Sequence, residues 1–528
     1  MAAEEPFPTT KEATVVVDIP IDSNSTSATP NDVNDVNDAS FDRTAFLASF
    51  SAAEEKAIMR KIDYRLLVLA GIIYMIKQID VNNASSVKVL SPNEPTNILI
   101  QLKMTANEYN WVQSTYYIAY IIFELPSNLL LKRMGPRLFH TRIMFTWGAI
   151  LALHAAVTNG SGLLAARFFL GLAEAGLFPA LMTQFASWYR SDEMGKPVMW
   201  LFGIFTLANI IGSLLIYGIA FLDGHRGLSS WQWVFLIQGV ATVAFSGVVY
   251  LLFPEYPKSP RTARWLTPRE QDFIEQRLAA NAPKTADANF SGSESRSLLR
   301  DPRLWAFMLT QVLMNTGNFG LTWFLPTIIS NLGFVKSPRN ILLLIPPAAA
   351  TIIGMVGAFF VLGRAWVARP IVALSVCLVE VGVFTIFIGT RARGAIYAAG
   401  ILGSATSNIF AIPFWSWRSS SLRGTTGTAF AYGLQSGIGQ LGGVIGPQIF
   451  VSKYAADGYR VPYAVCTACI AGGFIGCLVC WYLTYDLENE VLRVRRAKNA
   501  ARLEKRVYAG DDINYAADRW IQIKGERV

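Results

Sequence analysis

The chain has 528 residues, 52% of them hydrophobic and only 16% charged, with a mean hydropathy of +0.34. That balance excludes an ordinary soluble domain and points to a polytopic membrane protein. The formal net charge of +9 is then a matter of topology and contact with anionic lipid, and gives little reason to invoke nucleic acid.

In chain order, residues 1–50 are rich in Asp, Ser, Thr, Asn and Pro and carry the repeat Asn31-Asp32-Val33-Asn34-Asp35-Val36. Such a segment cannot bury a core, so 1–55 is predicted to be a disordered tail, too acidic to be a cleavable signal peptide. Apolar runs near or above the roughly 18 residues that cross a bilayer then recur. They predict spans near 64–86, 109–131, 138–157, 162–186, 197–222 and 231–253, and again near 303–328, 340–363, 366–389, 394–417, 425–450 and 461–485. Between the two sets, 254–302 mixes Pro, Arg, Glu and Ser, and Thr267-Pro268-Arg269-Glu270 predicts a capped helix over 267–278. From 487 to 528 a basic stretch reads as an amphipathic tail. The expected fold is an all-α membrane protein of about twelve transmembrane helices in two pseudo-symmetric bundles, 56–253 and 303–486, with a site between them near the midplane.

Basic residues in the short loops divide almost evenly, with Arg190, Lys196, Arg364, Arg369, Arg418 and Arg423 among those on one side. Lys56, Arg60, Lys61 and Arg65, the central linker and the C-terminal tail break the tie, so both termini are expected in the cytoplasm. The connections 128–137 and 363–369 are corresponding basic turns in the two halves. Lys132, Arg133 and Arg137 in the first are candidates for gating that face.

Four charges sit where lipid disfavours them: Lys77 and Asp80 in the first span, Arg167 and Glu174 in the fourth. Intramembrane charges commonly mark a substrate or ion pathway. Arg167 and Glu174, seven residues apart, share a helix face about 10 Å apart along the axis. Opposite span directions put Asp80 at the depth of Arg167 and turn Lys77 towards Glu174, which predicts an Asp80–Arg167 pair and a titratable Glu174. A carboxyl held from water at the midplane can exchange a proton near neutral pH. Asn82, Tyr116, Tyr117, Tyr120, Asn315, Asn318, Asn408 and Gln435 are candidates to line the site, each about as able to serve as interhelical glue. Glu380 in span nine is expected to snorkel or to pair locally.

Several motifs in order resemble the major facilitator superfamily, and within it the anion:cation symporters, which include fungal allantoate, nicotinate and pantothenate permeases. They are Arg60-Lys61-Ile62-Asp63, Phe123-Glu124-Leu125-Pro126-Ser127-Asn128-Leu129, the run Arg167 to Gly176 ending Ala173-Glu174-Ala175-Gly176, Trp231-Gln232-Trp233-Val234-Phe235, Phe324-Leu325-Pro326-Thr327-Ile328-Ile329, and Gly442-Gly443-Val444-Ile445-Gly446-Pro447. The resemblance covers roughly 55–490. It implies that Asp80 and Glu174 couple protons, that Arg167 organises them or the anion, and that Glu124 steadies the gate turn. One position departs from the pattern. The span-one signature Asp-Arg-x-Asn reads Asp80-Val81-Asn82-Asn83 here, so the anion-binding Arg is missing. Lys77, one turn before Val81 on the same face, is the candidate substitute; the plainer alternative is a local pair with Asp80.

Other patterns are set aside. Gly437-Ile438-Gly439-Gln440-Leu441-Gly442 matches a dinucleotide fingerprint but has no preceding strand, and suits close helix packing. Cys466, Cys469, Cys477 and Cys480 form one stripe of the last span and, with the intramembrane Cys377, suit packing rather than metal or disulfides. Sequons at Asn24, Asn83 and Asn159 fall in a tail, a span and a short loop. With His140, His154 and His225 scattered, no nucleophile–base set supports an enzyme, and no cofactor or metal is implied. The sequence reads as a monomeric multi-pass carrier, most simply in the plasma membrane, that imports a small organic anion with protons. An exporter of an anionic metabolite and a ligand-binding sensor are the alternatives.

Overall fold

A computed structural model of the chain describes residues 46, 47, 49–190, 193–278, 292–422 and 425–503. It divides into Met1–Ser49, of which only three residues are described, and Phe50–Val528. The expected disorder of the N-terminal tail, Asn24, Arg423, the side chain of Lys132 and the last 25 residues lie outside the described residues.

Among the described residues of the second unit, twelve long helices follow the predicted spans closely. They are α1 (Val68–Val87), α2 (Ala106–Met134), α3 (Pro136–Leu153), α4 (Gly160–Glu174 and Leu177–Ala186), α5 (Gly195–Ile219), α6 (Ser230–Leu252), α7 (Pro302–Leu332), α8 (Ile345–Gly363), α9 (Arg369–Gly389), α10 (Arg393–Ser420), α11 (Thr425–Gly439 and Leu441–Ile449) and α12 (Arg460–Leu503). Their starts are written locally. Thr105 with Glu108 and Ser229 with Gln232 form capping boxes on α2 and α6, the Asn159 carboxamide accepts from Gly162 N–H on α4, and Pro occupies the first turn of α3, α7 and α9. Asn159 is therefore used as a cap. Seven of the long helices, α4, α5, α6, α8, α9, α10 and α12, are long and apolar enough to cross a membrane by composition alone. Of the remaining five, α1, α2, α7 and α11 carry most of the polar residues that face the central cavity.

Helix pairing repeats between the halves. The pairs α1–α5, α2–α4 and α3–α6 reappear as α7–α11, α8–α10 and α9–α12, and the halves meet along the equivalent seams α2–α11 and α5–α8. Lipid gives no hydrophobic drive for such contacts, so close backbone approach decides them. Gly171 of α4 packs on the Tyr116 carbonyl of α2, and Gly442 of α11 on the Asn315 backbone of α7. The second contact accounts for the fingerprint-like glycines as packing. Cys377, Cys466, Cys477 and Cys480 likewise lie in the core of the second half among Phe384, Phe387 and Tyr463.

At the end of the molecule that holds the linker, helix Ala52–Ile62 runs through a π turn (Asp63–Leu67) into α1. The Arg60–Asp63 motif is a clamp there: Lys61 pairs with Glu270 at 2.7 Å, and Asp63 accepts from Tyr189 Oη at 2.8 Å and pairs with Lys196. The linker helix Pro268–Arg277 starts at the predicted Thr267–Glu270 capping box and docks through Arg277 on Glu193 and Phe273 on Phe50. Lys258 holds its proton more firmly than usual because Asp272 and Glu275 both accept from it. Thr267→Ala is expected to cost about 1 kcal/mol locally. Limited proteolysis should cut the linker faster while the bundle elutes unchanged; an unaltered cleavage rate would refute that role.

Two expectations are revised here. The basic stretch after 487 does not begin a separate tail, since α12 continues unbroken to Leu503. Its Arg496 and Asn499 donate to the carbonyls of Ala365, Trp366 and Gly363, satisfying the open C-terminal end of α8. Arg369 and Arg418, counted above as loop charges, are both buried. Arg369 grips Glu488 through two bonds of 3.0 and 2.7 Å, and Arg418 donates to Gln435 at 2.9 Å.

Candidate functional site

A cavity of about 210 Å³ lies between the halves. Its N-terminal wall is Tyr74, Lys77, Gln78, Val81, Asn82 and Ser85 of α1, Gln113, Tyr117 and Tyr120 of α2, Phe178 of α4, and Phe202, Phe205 and Asn209 of α5. Facing them are Gln311, Asn315, Asn318, Phe319, Thr322 and Trp323 of α7, Ser407, Asn408, Ala411 and Trp415 of α10, and Ser436 and Gln440 of α11. Lys77 is the one charged side chain in this lining. Four aromatic rings tilted against one another (Tyr74, Phe178, Phe205, Trp415) and a dense set of amides complete it, the combination of apolar surface and a few placed polar groups typical of small-ligand sites.

Lys77 makes no ion pair within 4 Å among the described residues; its Nζ sits 5.6 Å from the Tyr120 ring centroid. Asp80 does not pair with it. One turn on, Asp80 points away from the cavity and accepts from Trp147 Nε1 at 3.0 Å and Thr242 Oγ1 at 3.4 Å. The local-pair alternative for Lys77 thus finds no contact to support it. The expected Asp80–Arg167 ion pair is not formed either. Arg167 is fully buried beneath the Phe235 ring, 5.1 Å from its centroid, and its Nε and one Nη have no hydrogen-bond partner. Depth alone put Asp80 and Arg167 together; helix rotation, set by the packing of α3 and α6 on α1, turned Asp80 to Trp147.

Glu174 ends the first segment of α4. Ala175 is extended and Gly176 left-handed at φ 88°, a break that aims the carboxylate inward to accept from Tyr116 Oη at 2.6 Å. A side chain at Gly176 would strike Ser127 as well as strain the backbone. Glu174 and Tyr116 lie behind the cavity wall rather than in it. Glu174, Glu124 and Asp80 are the acidic groups that act on Lys77. The N-terminal half therefore holds two buried cations and three buried carboxyls, while the C-terminal half presents neutral amides to the cavity.

Of the other predicted residues, Asn82, Tyr117, Tyr120, Asn315, Asn318 and Asn408 line the cavity. Asn82 accepts from Gln78 and donates to Asn209 at 2.5 Å, tying α1 to α5. Gln435 does not line it; it bridges Arg418 and Gln311, a structural use. Glu124 lies on the seam, against Gly437 of α11 across from α2, rather than at the gate turn. Arg137 clamps the start of α3 to Glu255 at 2.9 Å, at the beginning of the linker just past α6, and Arg133 is exposed. Glu380 does not snorkel: it is fully buried and hydrogen-bonded to Ser407. Sequence reasoning missed Gln78, Gln113, Asn209, Gln311 and Gln440, amides whose facing depends on helix rotation.

Hydrogen bonds between the halves gather at the end away from the linker. Asn110 accepts from Trp323 Nε1 at 3.1 Å and donates to the Phe450 carbonyl, Ser114 donates to the Val444 carbonyl at 2.7 Å and accepts from Gln448, and Asn107 accepts from Ser452 N–H. These contacts close that end over the cavity.

Two six-helix halves with repeated pairing around one central cavity define a secondary-transporter fold. The family model "Major Facilitator Superfamily" matches residues 81–447, and the chain belongs to that family. It is similar to MFS transporter prlL of a fungal species (28% identical, covering 80% of this chain and 86% of that one) and to MFS-type transporter cnsO of Penicillium expansum (27%, 82% and 84%). An uncharacterized transporter of Schizosaccharomyces pombe is 24% identical over 89% of this chain and 94% of its own length. Among solved structures, a bacterial homolog of the human lysosomal transporter Spinster, inward-facing and unoccupied, superposes with a TM-score of 0.54 at 14% identity, over 84% of this chain and 98% of that one. That likeness shows the fold. The protein is a multi-pass membrane transporter and not an enzyme.

Proposed function

We infer that this transporter carries a small organic anion, a carboxylate of the kind taken by the anion:cation symporters, inward with protons by alternating access. The observation that carries the reading is Lys77, the single charge in a cavity otherwise lined by amides and aromatic rings. An ammonium there attracts one carboxylate, and the surrounding Asn and Gln side chains offer donors and acceptors to the rest of a polar ligand. As a point charge it does not impose bidentate geometry, so shape and the amides select the substrate. Glu174, a hydrogen bond from Tyr116 and within the field of Lys77, is the proton-coupling group, with Asp80 behind it. Net inward movement of positive charge would add about 2.3 kcal/mol of drive per charge per 100 mV. The same reading places the carrier in the plasma membrane with both termini in the cytoplasm.

Proteoliposomes holding the purified protein test this with a panel of small carboxylates, with and without an inward proton gradient. One compound should accumulate only with the gradient. Glu174→Gln should abolish gradient-driven accumulation yet leave downhill exchange of the same compound; accumulation by the Gln variant at the wild-type level would remove Glu174 from the coupling.

A further inference from the structure

One buried carboxyl of the C-terminal half, Glu380, has surroundings unlike those of Asp80 and Glu174. In the N-terminal half Asp80 receives two donors, and Glu174 receives a phenol in the field of Lys77 and Arg167. Glu380 of α9 is just as deeply buried, at 0% exposure, but among the described residues no cation pairs with it. Its single partner is the Ser407 hydroxyl at 2.7 Å, and Oε2 has none. Ser407 Oγ is itself ringed by oxygens: Glu380 Oε1 at 2.7 Å, Asn318 Oδ1 at 2.8 Å and the Gly403 carbonyl at 2.7 Å. A hydroxyl has one proton to give and cannot serve three acceptors. With a proton on the carboxyl, Glu380 donates to Ser407 Oγ, and the one Ser407 proton is left for Asn318 Oδ1 or the Gly403 carbonyl, so one fewer oxygen of the three competes for it.

Other titratable groups on the packed elements do not supply a compensating charge. Cys377 lies one turn before Glu380 on α9 and, like Cys466, Cys477, Cys480 and Tyr463 of α12, is a core residue whose side chain cannot become a cation. On α10, Arg418 is turned to Gln435 and Ser421, and Tyr397 donates to the Leu343 carbonyl. Arg369 and Glu488, on α9 and α12, pair with each other. An ionised carboxylate with one neutral hydroxyl and no cation is costly at membrane depth.

We propose that Glu380 is a second proton-carrying site, in the C-terminal half, read by the cavity through Ser407 and Asn318. With the proton on Glu380, its O–H donates to Ser407 Oγ and the Ser407 hydroxyl donates to Asn318 Oδ1, so Asn318 shows the cavity its amide N–H. Ser407 lines the cavity and Glu380 does not, so the proton leaves by relay: the Ser407 hydroxyl gives its proton to cavity water, takes the Glu380 proton in its place, and its new O–H points to the Glu380 carboxylate. Asn318 Oδ1 is then free to accept from a ligand. Each half thus carries one proton switch beside the same site, and the substrate's hydrogen-bonding pattern is read differently in the two states.

The inference deepens the proton-coupled reading above, but its test needs no substrate, so the two fail separately. Infrared difference spectra of the full-length protein in lipid vesicles at neutral pH would compare wild type, Glu380→Gln and Ser407→Ala in the C=O stretch of protonated carboxylic acids. Glu380→Gln should remove one component of that band, and Ser407→Ala should keep the component but move it to higher frequency as its hydrogen bond is lost. A band unchanged by Glu380→Gln would show the group ionised and overturn the proposal. A component lost with Gln but unmoved in Ser407→Ala would overturn the relay. If the Gln variant does not fold, the Ser407→Ala spectrum decides alone: a shifted component supports the proposal and an unmoved band overturns it.

Discussion

Lys77→Met abolishes anion uptake and leaves the fold intact: this is the expected result that the cavity chemistry predicts most strongly. Among the described residues the ammonium is the sole charge lining the site, and it holds no ion pair within 4 Å whose loss would unsettle the helices. Met keeps the length of the apolar stem against Tyr120. Removing one partner of a buried charge contact costs about 2–5 kcal/mol, roughly thirtyfold or more in affinity at 1.4 kcal/mol per factor of ten. Lys77→Arg keeps the charge with a different geometry and should retain part of the uptake with an altered order of preference among carboxylates. Counterflow in proteoliposomes measures both variants. Wild-type uptake by the Met variant would remove Lys77 from the binding site and leave the amides to carry recognition.

Gly171→Val is expected to abolish the folded protein. A Cβ at Gly171 would overlap the Tyr116 carbonyl oxygen and press on Ala119, and the obstruction is backbone that cannot turn aside. Forcing extra carbons into a packed contact costs about 1–3 kcal/mol when neighbours can shift, and here α2 would have to leave α4. That displacement would also break the Tyr116–Glu174 hydrogen bond. The matched control is Gly218→Ala on α5, whose added Cβ meets nothing within 4 Å. Fluorescence-detected size-exclusion of detergent extracts should show a monodisperse peak for the control and none for Gly171→Val. A normal peak for both would mean that the α2–α4 approach is not needed for folding.

Much of the architecture was legible in the chain because the bilayer imposes it. Apolar length sets span number, the Thr267–Glu270 capping box sets the start of the linker helix, and Gly135 and Gly363 mark corresponding turns. The candidate site was read in part. Lys77, Asn82, Tyr120, Asn318 and Asn408 do face the cavity, whereas Asp80, Arg167, Tyr116, Glu174 and Gln435 form the layers behind it. Depth follows from counting residues along a helix, but facing also needs its rotation. A helix whose polar residues occupy several faces, as α1 does with Lys77, Gln78, Asp80, Asn82 and Asn83, has no pattern that says which face meets the ligand. Asn83 shows this: it turns from the cavity to Gln238 of α6.

By itself, then, the sequence determined a membrane protein of two six-span halves and the small set of charges carried within its spans. Those follow from local composition and from the cost of exposing backbone and charge to lipid. The tertiary structure alone decided which charges face the cavity and which lie behind its wall. It separated Asp80 from Arg167, joined Tyr116 to Glu174 across two helices, and set Glu380 beside Ser407 with no cation near. These pairings come from helix rotation and backbone approach at glycine contacts, interactions between residues far apart in the chain that no local pattern records.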